Sequence, residues 1–123
     1  MTRCEERGIM HAKKKRLKIK DVQGILDELK GKLRRLYGIR LLKLILYGSY
    51  ARNEAWEGSD IDVAVLLAGR ISPMREIDRM LDVITDINLK YNTLISIYPV
   101  SEDSLKTVKS PLLLNIEKEG VII

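Results

Sequence analysis

The 123-residue sequence has no phenylalanine, a single cysteine, a single histidine and three prolines. Each shortage excludes something. Cys4 alone cannot form an internal disulfide, which fits a reducing, cytoplasmic compartment. His11 has no neighbouring Cys or His at metal-ligand spacing, so it carries no metal role. Aromatic residues make up only 5% of the chain, so the core must be built from Leu, Ile and Val. No apolar run approaches the roughly 20 residues that span a bilayer, so no membrane role is expected. The opening "MTRCEERGIMHAKKKRLKIK" also lacks the apolar stretch and cleavage site of a secretory signal.

Acidic residues are scarce only at the start. The net charge of +5 suggests a nucleic-acid partner until it is divided along the chain. Residues 1–20 hold eight Lys and Arg against two Glu, and the rest of the chain is close to neutral. Residues 1–19 therefore read as a basic, disordered tail, with a nucleic-acid or partner arm as the other reading. Residues 20–123 read as one domain, and nucleic acid is not expected to be its partner.

Within that domain Val22, Ile25, Leu26, Leu29, Leu33 and Leu36 fall at helical spacing, with Asp21 as a cap and Gly38 at the end. "IRLLKLILYG" reads as a buried strand stopped by Gly48, residues 49–55 as a short helix, 57–59 as a turn, and Ile61–Leu67 as a second strand. Ser72 and Pro73 start a helix whose apolar stripe is Ile77, Met80, Leu81, Ile84, Ile87 and Leu89. "TLISIYPV" is a third strand and "SEDSLKTVK" a polar excursion. Ser110, Pro111 and Gly120 bracket a last helix, followed by "VII" as a short strand or a docking segment. Strands separated by helices predict an α/β fold with a small mixed β-sheet flanked by helices.

The charges in "LYGSYARNEAWEGSDIDVAV" stand out. Asp60 and Asp62 open an apolar strand and share one face, at roughly 6–7 Å between Cα atoms. At that distance, unpaired, they repel by about 2.5 kcal/mol for an effective dielectric near 20. Two such acids can face solvent on an edge strand, or they can hold Mg²⁺ together with phosphate oxygens. Upstream, Gly48 and Ser49 end the preceding strand where backbone N–H groups and a hydroxyl can receive phosphate. Taken together, loop and acids address one ligand, a metal-bound nucleoside triphosphate, which is the layout of a nucleotidyl-transfer site. Arg52 can neutralise phosphate or pair with Glu54 or Glu57. Tyr50 and Trp56 can stack on a base or pack against protein.

Gly48-Ser49, ten residues, then Asp60-Ile61-Asp62 resembles the signature of the DNA polymerase β nucleotidyltransferase superfamily. The surrounding stretch is most similar to the minimal nucleotidyltransferases, the MNT antitoxins paired with HEPN toxins. The resemblance implies the polymerase β-type fold with its site at one sheet edge. It implies Gly48 and Ser49 as nucleotide-binding residues, to which the reading of the loop adds Arg52 as a candidate, and Asp60 and Asp62 as ligands of Mg²⁺; Asp60, Asp62 and Ser49 are the candidate catalytic set. By the same resemblance the reaction is transfer of AMP from ATP to a hydroxyl, a tyrosine of a HEPN RNase toxin. A homodimer or a hetero-oligomer with the toxin is left open. Two positions depart from the family pattern. Asn53 stands where Gly is frequent, and the third core strand carries Ser96 and no acid, with Glu102 and Asp103 several residues beyond. The alternative to an enzyme is therefore an antitoxin that neutralises its toxin by binding alone.

Overall fold

The computed structural model describes residues 15–108 and 110–123. Cys4, His11 and the first 14 residues of the expected tail lie outside the described residues. From Lys15 onward the chain already belongs to the fold. Strand β1 (Arg16–Leu17) pairs antiparallel with β3 (Ala55–Trp56), and a 3-10 turn spans Ile19–Val22. The domain therefore starts earlier than residue 20, because Leu17 and Ile19 have apolar surface to pack against the core.

Helix α1 (Gln23–Tyr37) leads into β2 (Leu41–Tyr47); β4 (Ile61–Leu67), α2 (Pro73–Tyr91) and β5 (Ile95–Ser101) follow. Then come α3 (Glu102–Thr107), α4 (Pro111–Glu119) and β6 (Val121–Ile122). The main sheet has the order β5-β4-β2-β6. β4 and β5 run parallel across the α2 crossover, whereas β2 is antiparallel to both β4 and β6. This is the mixed sheet that the alternation of strands and helices predicted.

Inner strand β4 is buried on both faces, which is why it reads as a continuous apolar run. Its odd-numbered residues, Ile61, Val63, Val65 and Leu67, pack with Leu44 and Leu46 of β2 under α1 and α2. Its even-numbered residues Ala64 and Leu66 pack with Ile45 and Val100 under Leu113 and Ile116 of α4. Each face thus has its own core, and Asp62 belongs to the α4 face by alternation.

Local expectations fail where tertiary packing intervenes. On α1, Tyr37 is buried and Leu36 exposed, and on α2, Leu81 and Leu89 are exposed. Asp21 lies inside the 3-10 turn, accepting from the Lys18 N–H at 2.8 Å, and does not cap α1. The polar excursion is helix α3, capped by the Ser101 hydroxyl, which accepts from the Ser104 N–H at 3.1 Å. Ser110 caps α4 as expected, accepting from the Leu113 N–H at 3.1 Å.

Two polar clusters tie α1 to α2. The Tyr37 hydroxyl donates to buried Glu76 at 2.7 Å, with Arg79 and Arg40 at 3.8 and 3.9 Å from the same carboxylate. Glu28 accepts from Tyr91 at 2.7 Å and Lys90 at 2.9 Å, with Lys32 at 3.2 Å. These donors, Lys90 foremost, hold the Glu28 carboxyl at about 2.

Candidate active site

β2 and β4 bring the loop and the acids together through their register. Tyr47, the last residue of β2, pairs with Asp62, so Gly48 follows directly beside that carboxylate. Gly48 has φ +76°, a conformation that favours glycine. A Cβ there would collide with Asp62 Oδ2 and lie 3.1 Å from its Cγ. Glycine is thus required twice, for the turn and for the close approach. The site sits at the end of the two inner strands. The lateral edges of the sheet are β5 and β6.

Asp62 is half-buried, the one polar interruption in β4. Burial pushes its carboxyl above the usual range, the charge of Asp60 adds to this, and Arg52 opposes it. Asp60 and Asp62 therefore do lie close enough to feel each other. Two phenols share the face of Asp62. Tyr47 is pushed up to about 12 by burial, by Asp62 and by Tyr98. Tyr98, two residues beyond Ser96 on β5, pairs with Ala64 and so shares the Asp62 face.

Residues 48–54 form a wound turn where the sequence suggested a helix. The Arg52 N–H donates to the Gly48 carbonyl at 3.1 Å and the Glu54 N–H to the Ser49 carbonyl at 2.8 Å, but no further turn follows. β3 pairs with β1 immediately afterwards, and this pairing ends the winding. Asn53 takes φ +60°, the left-handed conformation it tolerates better than most residues. The Arg52 guanidinium lies 3.0 Å from Glu54 and 3.5 Å from Glu119 at the end of α4. Of the two partners expected for Arg52, Glu54 is found, and Glu119 takes the place of Glu57.

The rings divide. Tyr50 is buried in the α1–α2 core and cannot stack on a ligand at the acids. Trp56 is 46% exposed, with the Arg16 guanidinium 5.4 Å from its ring centroid. A cleft of about 610 Å³ opens beside residues 57–59, lined by Leu17, Asp21, Tyr50 and Leu94 among others, but by neither Asp60 nor Asp62.

The parallel register pairs Asp62 with Ser96, so the neighbouring strand offers a hydroxyl and no third acid beside it. Glu102 and Asp103 start α3 at the opposite end of β5, about 20 Å along the strand. They cannot fold back to the site. Among the described residues no three or more His, Cys, Asp or Glu side chains converge as a metal cage. Two hard carboxylates with open positions still suit Mg²⁺, which shares its shell with phosphate oxygens and water. Sequence reasoning missed Tyr47, Tyr98 and Glu119 as neighbours of the site. The two tyrosines come from neighbouring strands and reach Asp62 only through the pairing register, and only the packing of α4 finds Glu119.

The family described as "Polymerase beta, Nucleotidyltransferase" matches residues 28–123. The chain belongs to this family of nucleotidyltransferases. Among its relatives, the Methanocaldococcus jannaschii protein named protein adenylyltransferase MJ1305 is 36% identical over 104 residues, covering 79% of this chain and 67% of the relative. MJ0141 of the same organism, named likewise, is 32% identical over 97 residues, covering 79% and 93%. Among solved structures, a Sulfolobus solfataricus protein described as a nucleotidyltransferase superposes with a TM-score of 0.54 at 16% identity, covering 82% of this chain and 83% of that one. A toxin–antitoxin structure with AMP-PNP gives 0.54 at 20% identity, covering 76% and 68%. Both likenesses support the fold. Among the described residues no helix is long and apolar enough to cross a membrane.

Proposed function

We propose that this chain is a protein adenylyltransferase that moves AMP from ATP to a hydroxyl of a partner protein, a tyrosine of a HEPN-type toxin, and so acts as an antitoxin. The observation that carries this reading is the contact between the two halves of the site. Gly48 lies directly against Asp62, so a phosphate held at the loop and a cation held by the acids would be neighbours. The names of the M. jannaschii relatives, and the AMP-PNP in a toxin–antitoxin neighbour, support the same chemistry.

Each residue has a distinct task in this reading. The backbone and hydroxyl of Ser49, with the open backbone at Gly48, receive phosphate oxygens, and Arg52 offsets their charge. Asp60 and Asp62 would hold Mg²⁺, which when bound neutralises the triphosphate and makes the acceptor hydroxyl more acidic. The acceptor oxygen attacks the α-phosphorus, the bond to the bridging oxygen of pyrophosphate breaks, and the hydroxyl proton leaves to solvent. The loop and the acids fix donor and acceptor in line, the main contribution a protein makes to such transfers.

One observation favours a second reading, in which the chain neutralises its toxin by binding alone. Ser96 pairs with Asp62 and supplies no third carboxylate. The two readings separate in one assay. The chain is incubated with a HEPN-type toxin, Mg²⁺ and each nucleoside triphosphate, and the toxin is weighed by mass spectrometry. The enzyme adds AMP units, and Asp60→Ala or Asp62→Ala abolishes the gain. An inhibited toxin of unchanged mass rejects transfer and leaves the binder.

A further inference from the structure

Arg52 connects the phosphate loop to the far end of α4. Its backbone N–H is tied to the Gly48 carbonyl, so the side chain rises from the loop itself. Its guanidinium is shared between Glu54 Oε1 at 3.0 Å and Glu119 Oε1 at 3.5 Å, and its charge still reaches Asp62. Glu119 is the last residue of α4 and is anchored on both sides. Ile116 before it is buried in the second core. Gly120 after it is packed so tightly that a Cβ would collide with the Ile116 carbonyl and Ile45 Cγ2. Val121 and Ile122 then pair with Leu46 and Ile45 on β2. Glu119 is thus an acceptor held beside the loop, and the arginine it engages is already paired with carboxylates before any phosphate arrives.

Carboxylate and phosphate oxygens are interchangeable acceptors for a guanidinium fork. We propose that Glu119 is a positioning residue that competes with nucleotide phosphate for Arg52, so that a nucleotide binds by drawing Arg52 off Glu119. This rests on the reading of Gly48-Ser49 as the phosphate site. Glu119 then sets nucleotide affinity below what the loop would otherwise reach, and nucleotide binding loosens the tie between the loop and the end of α4.

Calorimetric titration of the full chain with Mg·AMP-PNP tests this. The ion pair is partly exposed, 43% at Arg52 and 34% at Glu119, so Glu119→Gln is expected to tighten binding about twofold to fivefold. Glu117→Gln removes the same charge from the exposed face of α4 and leaves affinity unchanged. Arg52→Gln weakens binding about tenfold, and in that background Glu119→Gln has no further effect. The proposal is overturned if Glu119→Gln fails to tighten binding, if Glu117→Gln tightens it equally, or if the gain survives without Arg52. Absence of wild-type binding overturns the phosphate-site reading and this proposal together. Wild-type binding that Glu119→Gln does not change overturns this proposal alone.

Discussion

Replacing Gly48 by alanine puts a methyl group where the Asp62 carboxylate already is. Two costs follow, and they can be separated. A non-glycine residue at φ +76° costs about 1–2 kcal/mol. The Cβ must also displace Asp62 Oδ2 or shift the ends of β2 and β4, an overpacking cost of about 1–3 kcal/mol. Gly69 provides the control, because it has φ +79° and a Cβ there would meet nothing within 4 Å. Gly69→Ala therefore carries the conformational cost alone. Urea unfolding of both variants is expected to show Gly48→Ala less stable than Gly69→Ala by the steric part. That excess corresponds to about 3–5 °C of melting temperature per kcal/mol for a chain of this size. In an Asp62→Ala background the carboxylate is gone and the excess shrinks. Calorimetry with Mg·AMP-PNP then reports function: Gly48→Ala loses nucleotide affinity and Gly69→Ala keeps it. Equal destabilisation by the two substitutions, with nucleotide affinity intact in both, would refute the close approach of loop and acid.

Asp62→Asn is expected to raise the melting temperature at pH 7 while abolishing transfer, because the raised carboxyl of Asp62 means that its charged form is disfavoured in the fold. That gain belongs to the ionised state, so it fades as pH falls through the raised value and is absent below the ordinary carboxylate range; a gain that persists in acid contradicts it. Glu28 behaves oppositely: its carboxyl is lowered to about 2, so its contribution is full above the unfolded value and is lost as pH falls toward 2. The melting-temperature gap between wild type and Glu28→Gln should therefore close on acidification from about pH 4.3 downward, and a constant gap between pH 7 and pH 2 argues against the cluster. Tyr37→Phe removes the hydrogen bond that the phenol donates to buried Glu76 and is expected to cost about 1–3 kcal/mol in urea unfolding; a neutral result means that Arg40 and Arg79 satisfy that carboxylate without the phenol.

Much of the fold was legible because its signals are local. Pro73 and Ser110–Pro111 mark helix starts, and Leu26, Leu29 and Leu33 repeat at helical spacing. β4 shows as an apolar run because both its faces are covered. The acids were legible for the same reason, since Asp60 and Asp62 are conspicuous only against such a run. Residues 49–55 misled because Ala, Arg and Glu have helical propensity, which the pairing of β3 with β1 overrides. The start of α3 was obscured by its polar residues, although Ser101 is an ordinary cap.

By itself, then, the chain's order of residues determined which segments become strands and helices, and which side chains alternate onto the face of Asp62. Those properties depend on neighbours within a few positions. Tertiary structure alone decided that Gly48 abuts Asp62, that Ser96 takes the place beside it, and that Arg52 meets Glu119 across 67 positions of chain. Register between strands, and the docking of a helix end on a loop, follow from how two separate cores close on one sheet, and no local pattern encodes that.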